Sequence, residues 1–166
     1  MLRRTLPLVL LTLALLAGCG GDDGPQTKAT FINDADDVCE KLADDFRSAG
    51  AEQPGTAQEV VDANDTLADL YERLADRLSE VRLPDGGTER TQGEAYIRSV
   101  RAADPLLERI RSTSATFLEA AKANDARKLA AAGNDVRTAL DAFRSARAES
   151  DAMAVAYGFN LCGNLN

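Results

Sequence analysis

The amino-acid sequence predicts an all-α protein, and three observations support this. Apolar residues recur at spacings of three and four along four long stretches, which places them on one face of a helix. Alanine, the strongest helix former, accounts for 29 of the 166 residues. No segment shows the sustained alternation of β-branched residues that is typical of a strand. Because the four stretches are joined by short connections, we expect an antiparallel up-and-down four-helix bundle over residues 29–166.

The first two helices are predicted on either side of a loop that contains glycine and proline. The first lies near residues 30–49. Thr56-x-x-Glu59 has the pattern of a capping box, in which each side chain bonds to the other residue's backbone, and it predicts the start of the second helix. The apolar seam of this second helix has one polar position, Asn64. We expect Asn64 to fix the register of the helices or to pair with Ser114.

The third helix is predicted to begin near Thr88 or Thr91, where Thr91-x-x-Glu94 has the pattern of a second capping box. Pro105 lies inside this stretch, yet the apolar heptads keep their phase across it. A single kinked helix is therefore favoured over two separate ones.

The fourth helix is predicted to begin after the Asn124-Asp125 boundary and to end at Gly158, since glycine is the common residue after a helix C-terminus. The residues that follow, 159–163, are too apolar to remain in solvent. We expect them to fold back onto the bundle.

Residues 1–18 have the pattern of a signal peptide. Arg3 and Arg4 supply a positive charge, and the apolar run Leu6–Leu16 is shorter than the roughly 20 residues that a membrane-spanning helix needs. The run ends in Leu16-Ala17-Gly18-Cys19, which resembles the lipobox of bacterial lipoproteins. The alternative is an ordinary secretory signal with a cysteine at this position by chance.

The lipobox resemblance implies cleavage between Gly18 and Cys19, transfer of a diacylglyceryl group to the Cys19 sulfur, and usually acylation of the freed amine with a fatty acid such as palmitate. Two acyl chains give stable anchoring, because each buried methylene contributes about 0.8 kcal/mol. Residues 19–28 are rich in glycine and aspartate and are predicted to be a flexible tether.

Two further cysteines, Cys39 and Cys162, lie near the two ends of the predicted domain. In an exported protein an even pair is most simply interpreted as a disulfide. The loop that it closes is long, so the chain-entropy estimate of its stabilisation is on the order of 4–5 kcal/mol. Two buried free thiols, or one reactive thiol, are the alternatives. We expect no metal site, because two cysteines without a histidine cannot complete a tetrahedral shell.

Charge and composition exclude several classes of function. The net charge is -8, and removal of Arg3 and Arg4 with the signal leaves 17 basic against 27 acidic residues, a net charge of -10. An acidic chain is unsuited to nucleic acid, and anionic headgroups should repel it from the membrane surface. The chain contains no histidine, which excludes Ser-His-Asp triads and histidine-ligated zinc. We expect neither an enzyme nor a bound cofactor.

Three groups of polar residues are weighed as sites. Acidic residues of the first helix could hold a cation but lack the glycine turn of a calcium loop, so a solvated face is favoured; they are Asp36, Asp37, Glu40, Asp44 and Asp45. Seven arginines could bind an anion, but acidic residues are interleaved with them and surface ion pairs are favoured; the arginines are Arg73, Arg77, Arg82, Arg98, Arg101, Arg109 and Arg111. The ion pairs predicted from a spacing of three are Arg73–Asp76, Arg77–Glu80 and Glu108–Arg111.

The tyrosines Tyr71, Tyr96 and Tyr157 fall on apolar faces and are predicted to pack in the core with the hydroxyl at its rim.

The combined pattern covers most of the chain. The lipobox, Ala35-Asp36-Asp37-Val38-Cys39 in the first helix, and Tyr157-Gly158-Phe159-Asn160-Leu161-Cys162-Gly163 resemble small helical lipoproteins of high-GC Gram-positive bacteria. The excess of arginine over lysine, 15 to 4, suits that source. The resemblance implies a location on the outer face of the cytoplasmic membrane, and such families carry no assigned activity.

Two classes of function therefore remain. The first is non-catalytic binding of another envelope protein or component by a lipid-anchored domain. The alternative is a small-molecule-binding or sensing module, with a pocket between helices near Pro105 that is lined by alanine, leucine and tyrosine side chains.

Overall fold

The computed structural model describes residues 24–51 and 53–165, and within these ranges all regular secondary structure is helical. The predicted signal peptide, the cleavage position at Gly18 and the lipidation residue Cys19 lie outside the described residues. The helices are α1 (Lys28–Ala51), α2 (Ala57–Glu80), α3 (Gly87–Arg101), α4 (Asp104–Lys122) and α5 (Ala126–Tyr157), followed by a short 3-10 helix (Cys162–Asn164). The prediction of an all-α fold is confirmed.

Several helix ends form as the sequence predicts. The Thr56 hydroxyl accepts a hydrogen bond from the Glu59 amide at 3.2 Å, and the Glu59 carboxylate accepts one from the Thr56 amide at 2.9 Å. These contacts complete the capping box of α2. The backbone hydrogen bonds that Glu59 accepts lower the pKa of its carboxyl group. At the start of α5 the Asp125 carboxylate accepts hydrogen bonds from the amides of the second and third helical residues.

The third predicted helix consists of two helices, α3 and α4. Ala102 and Ala103 form a turn between them, and Pro105 occupies the first turn of α4, where a backbone N–H would have no partner within the helix. The prediction of a single kinked helix is therefore wrong. Both alanines keep right-handed helical backbone angles, with φ of -64° and -76°. This explains why the apolar heptads keep their phase across the break.

The start of α3 agrees with the earlier of the two predicted positions, Thr88, and not with Thr91. The helix begins at Gly87, so Thr91 lies inside it and donates its hydroxyl hydrogen to the Gly87 carbonyl oxygen at 3.3 Å. Glu94 pairs instead with Arg90 at 3.0 Å. The predicted capping box at Thr91 does not form, because the helix has already begun one turn earlier.

The helices pack as a bundle around one apolar core. The most extensive contacts join α4 to α5 and α2 to α4, followed by those of α1 with α2 and of α3 with α5. The largest fully buried side chains include residues of α1, α2 and α4 and of the α2–α3 loop; they are Phe31, Leu70, Leu78, Pro84, Leu107 and Ile110. Among the described residues, no helix is both long enough and apolar enough to span a membrane.

Contacts between distant residues join several segments at one end of the bundle. We call it the disulfide end: it contains the start of α1, the α2–α3 loop, the start of α3, the end of α5 and residues 158–165. The end of α1, the start of α2 and the turn between α4 and α5 are together called the turn end. At the turn end the Asn64 side chain donates a hydrogen bond to the Ser114 hydroxyl at 2.8 Å, and both residues are buried. The predicted pairing of Asn64 with Ser114 is confirmed.

Candidate functional site

The chain reverses direction at the end of α5. Gly158 has a φ of 109°, in the left-handed region that glycine adopts readily, and the Phe159 amide bonds back to the Ala154 carbonyl oxygen at 3.0 Å. Residues 158–165, which we call the return segment, then lie against α1 and α5. Its residues Phe159, Cys162 and Leu165 are buried. The expectation that this apolar segment folds back is therefore confirmed.

A disulfide attaches the return segment to α1. The Cys39 and Cys162 sulfurs lie 2.01 Å apart, at bonding distance, and their Cα atoms are 5.2 Å apart across a sequence separation of 123. Both residues are buried in the core. This is the pairing that the sequence predicts.

A buried carboxylate provides the second attachment. Asp36 lies one turn before Cys39 on α1 and is only 8% exposed. Its two oxygens accept hydrogen bonds from the backbone amides of Asn160, Leu161 and Cys162 at 2.8 to 3.2 Å, and from the Asn160 side chain at 3.2 Å. Asp36 thus satisfies the amides that open the 3-10 helix, in the manner of a helix cap.

The role of Asp36 corrects the interpretation of the acidic group on the first helix. Asp36 belongs to the interior and not to a solvated face. Its four neighbours in that group are exposed as interpreted, namely Asp37, Glu40, Asp44 and Asp45. Asp44 pairs with Arg47 and Asp45 with Arg73. In the part of the chain that the structure describes, no three Cys, Asp or Glu side chains lie close enough to hold a metal ion.

Four aromatic rings pack beside the disulfide. Phe159 stacks on Tyr157 with ring centroids 5.0 Å apart and lies 4.7 Å from Tyr96. Phe31 meets both Tyr157 and Phe159 edge-on, at 5.7 and 5.6 Å. The cluster leaves no space at Gly93, where an added Cβ would lie 2.9 Å from the Phe31 ring. Such contacts are specific in geometry and fix the return segment against α1 and α3.

The tyrosines occupy the core as predicted. The Tyr157 hydroxyl donates to the Glu89 carbonyl oxygen at 3.0 Å, at the edge of the core. Tyr71 packs on Phe143 at 4.8 Å, and burial raises the pKa of its hydroxyl to about 12. Burial also raises the pKa of Tyr96. These hydroxyls remain protonated at neutral pH and serve as structural groups.

Arg147 of α5 holds the last part of the return segment. Its guanidinium donates to the Leu165 carbonyl oxygen and lies 3.5 Å from the Asp151 carboxylate. The Gly163 backbone approaches α5 so closely that an added Cβ would lie 2.7 Å from the Val155 side chain. The return segment is therefore fixed at its beginning, middle and end.

Residues 24–26, which precede α1, also lie at the disulfide end. The Gln26 amide donates to the Asp85 carboxylate, and the Asp85 amide donates to the Gln26 carbonyl oxygen, both at 2.9 Å. The Arg82 guanidinium, paired with Asp85 at 3.0 Å, also donates to the Gly24 carbonyl oxygen at 3.3 Å. Residues 24–26 are thus tied to the α2–α3 loop before α1 begins.

Several of the arginines considered for an anion site form ion pairs instead. Arg77–Glu80 and Glu108–Arg111 form at 3.7 and 4.0 Å, as predicted. The predicted Arg73–Asp76 pair is replaced by two pairs between helices: Arg73 with Asp45 at 3.2 Å and Arg101 with Asp76 at 3.0 Å.

Arg111 joins α4 to α2 through two further carboxylates. It lies 2.7 Å from Asp69 and 2.5 Å from Glu72. The hydrogen bond with Glu72 raises the pKa of the guanidinium further above its usual range. A positive group that is already bound by several carboxylates is a poor receptor for an anionic ligand.

The surface grooves of the described residues include one at the turn end and one between α3 and α5. A polar groove of about 560 Å³ at the turn end is lined by residues that include Ser48, Gln53, Asp62 and Thr66. An apolar groove of about 180 Å³ lies between α3 and α5, lined by Gln92, Ala95, Met153, Ala156 and Tyr157. Neither groove is lined by the residues next to Pro105, where a pocket was expected and where Ala103 and Leu107 are buried.

No protein family, curated protein or solved structure matches this chain in the comparisons with known proteins. The candidate site therefore rests on the contacts of the disulfide end alone: a return segment fixed by a disulfide, a buried carboxylate and an aromatic cluster, next to the point where the chain enters the domain.

Proposed function

We propose that this protein is a lipid-anchored helical domain, held on the outer face of the cytoplasmic membrane by Cys19, that binds another protein or component of the envelope without catalysing a reaction. The observation that carries the proposal is the attachment of residues 24–26 to the α2–α3 loop. Gly24 follows Cys19 by only five positions. A lipid at Cys19 would therefore hold the bundle by its disulfide end.

The disulfide supports an extracytoplasmic location. Disulfides persist in oxidising compartments and are rare in the cytosol, and the Cys39–Cys162 pair closes most of the folded chain. An exported domain of modest size gains stability from such a crosslink, since the unfolded chain loses entropy.

We also propose that the helices follow an antiparallel up-and-down order, in which α3 and α4 together take the place of one helix. Two contacts support this order. Phe31 at the start of α1 meets Tyr157 at the end of α5, and Asn64 in the first third of α2 bonds to Ser114 in the second half of α4. In that order the turn end points away from the anchor, and its polar groove is presented to other envelope components.

The anchor is tested by feeding cells a fatty acid with an alkyne group and comparing the native chain with Cys19→Ser. We expect the native chain to be labelled and to sediment with membranes, and the variant to carry no label. A native chain that remains unlabelled and cytosolic would overturn the proposal.

Partner binding is tested separately by placing a photo-crosslinking amino acid at exposed positions in intact cells. Gln53 samples the turn end, Thr116 samples α4, and Thr88 samples the disulfide end. We expect one partner, crosslinked in stoichiometric amount, from Gln53 or Thr116. If all three positions yield only the uncrosslinked protein, binding of an envelope component is contradicted even when the anchor is present.

A further inference from the structure

We infer that the disulfide end lies against the lipid surface itself and contacts it through the apolar side chains of Met153, Val155 and Leu161. This inference rests on the proposed anchor at Cys19 and names the surface that the anchored domain meets first. It differs from the expectation, based on the net charge of the whole chain, that the domain stands away from the membrane.

The distribution of exposed apolar side chains is the first argument. Within residues 24–51 and 53–165, the large apolar side chains that are exposed are Met153 at 38%, Val155 at 57% and Leu161 at 41%. All three lie at the end of α5 and in the return segment. Single exposed apolar residues are ordinary on a protein surface, whereas their confinement to one end indicates that something covers that end.

The depth of these side chains suits a bilayer interface. Met153 precedes the last residue of α5 by four positions, which is about 6 Å along the helix axis. The headgroup layer on each side of a bilayer is about 5–8 Å thick. A helix end that reaches the acyl chains would therefore place Met153 and Val155, on different sides of α5, within the headgroup layer.

The connection to Cys19 is the second argument. Five residue steps span at most about 18 Å, even when fully extended. Because Gly24 is tied to Arg82 and Gln26 to Asp85, the disulfide end cannot move further than this from the acylated sulfur. A tether this short keeps the local concentration of the lipid surface high, so a small apolar contact is sufficient for docking.

Some of the charges at this end are paired with each other. Asp85 is paired with Arg82, and Glu94 is paired with Arg90 and Arg98 at 3.0 and 3.8 Å. The Lys28 ammonium lies over the Tyr157 ring, next to the apolar groove, where it can meet a lipid phosphate. Asp34, Asp37 and Glu89 are exposed at the same end, so the apolar contact and the short tether must outweigh their repulsion by anionic headgroups.

Met153 also provides the test. The chain contains two methionines, and the other is Met1 in the signal peptide, so Met153 is the one methionine of the mature chain. Its oxidation by hydrogen peroxide to the sulfoxide is followed by mass. We compare acylated protein in vesicles of phosphatidylglycerol and phosphatidylcholine with the unacylated chain that begins at Gly20, in solution. We expect oxidation of Met153 to be at least fivefold slower on vesicles.

A second methionine at the turn end is the matched control. Gln53→Met places an exposed thioether far from the proposed contact, and its oxidation rate should be equal on vesicles and in solution. Leu161→Asn combined with Val155→Ser changes only exposed positions and should restore most of the oxidation rate of Met153 on vesicles.

The outcomes separate the inference from the proposed function. Purified protein that carries no acyl chains overturns the anchor. Acylated Gln53→Met protein in which Met153 and the control methionine are both oxidised at their solution rates overturns the lipid contact alone. Protection of Met153 in native membranes but not in pure lipid vesicles would assign this surface to a protein partner and would also overturn the inference.

Discussion

The two ends of the bundle are closed by different kinds of contact. At the disulfide end, side chains far apart in sequence meet: Cys39 bonds to Cys162, Asp36 binds the return segment, and Phe31 packs on Phe159. At the turn end the contacts are mostly local. Glu59 and Asp125 cap the helices that they begin, and one buried hydrogen bond joins α2 to α4.

This difference indicates which end of the domain resists unfolding more strongly. Contacts between distant residues must break together when the domain unfolds, whereas a cap affects mainly its own helix. If the chain is anchored at Cys19, the end next to the anchor is the one built to remain folded. The turn end is then the part whose surface can change without loss of the fold.

The largest effect should come from the disulfide. Replacing Cys39 and Cys162 together with serine should lower the free energy of unfolding by about 4 kcal/mol, because the unfolded chain regains the entropy of a long loop. Denaturation by urea under non-reducing conditions measures this. A loss below about 1 kcal/mol would mean that the other attachments of the return segment are sufficient alone.

Replacement of Asp36 should have the second largest effect on stability. Asp36→Asn replaces an acceptor of four hydrogen bonds with a group that has one acceptor oxygen, so buried amides lose their partners. We expect a loss of about 3 kcal/mol. Asp37→Asn changes an exposed neighbour on the same helix and should have little effect. Equal urea midpoints for the two variants would show that Asp36 has no special role.

Two glycines offer a matched comparison of the ends. Gly93→Ala would place a methyl group 2.9 Å from the Phe31 ring and should destabilise the protein by about 2 kcal/mol. Gly133→Ala, inside α5 near the turn end, meets the Phe117 ring at an ordinary 3.6 Å and should stabilise the helix by about 0.5–1 kcal/mol. Thermal unfolding of both variants gives the sign of each change in stability. A stabilising Gly93→Ala would contradict the tight packing of the aromatic cluster.

The smallest loss of stability should follow from removing the buried hydrogen bond between Asn64 and Ser114. Asn64→Ala and Ser114→Ala should each cost about 1–2 kcal/mol, since each leaves the other residue's polar group without its partner. The double variant should cost less than the sum of the two. Additive losses in a double-mutant cycle would show that the two side chains do not interact.

The elements that could be predicted from the sequence are those that depend on local pattern. Apolar spacing and caps give the helices, and the even pair of cysteines gives the disulfide. The spacing of Asn64 and Ser114 along their seams suggests their pairing, because both are polar positions in apolar rows. Each of these features can be predicted from residues close together in the sequence, or from residues whose chemistry allows only one kind of partner.

The features that were missed depend on tertiary contacts. Asp36 is an aspartate among other aspartates, and only its position between buried Ala35 and Cys39 distinguishes it. The break between α3 and α4 keeps the helical phase, so the heptads give no sign of it. Arg73 pairs across helices with Asp45, because side chains three apart on an exposed face also compete for partners on the next helix.

The proposed anchor and orientation depend most on the chemical state of Cys19, and intact mass measurement under non-reducing conditions tests it directly. Protein extracted from membranes with detergent should begin at residue 19, carry a diacylglyceryl group on that residue, and be two hydrogens lighter than the fully reduced chain because Cys39 and Cys162 are joined. A protein that retains residues 1–18, or that begins elsewhere with an unmodified Cys19 thiol, would contradict the anchor and the orientation derived from it.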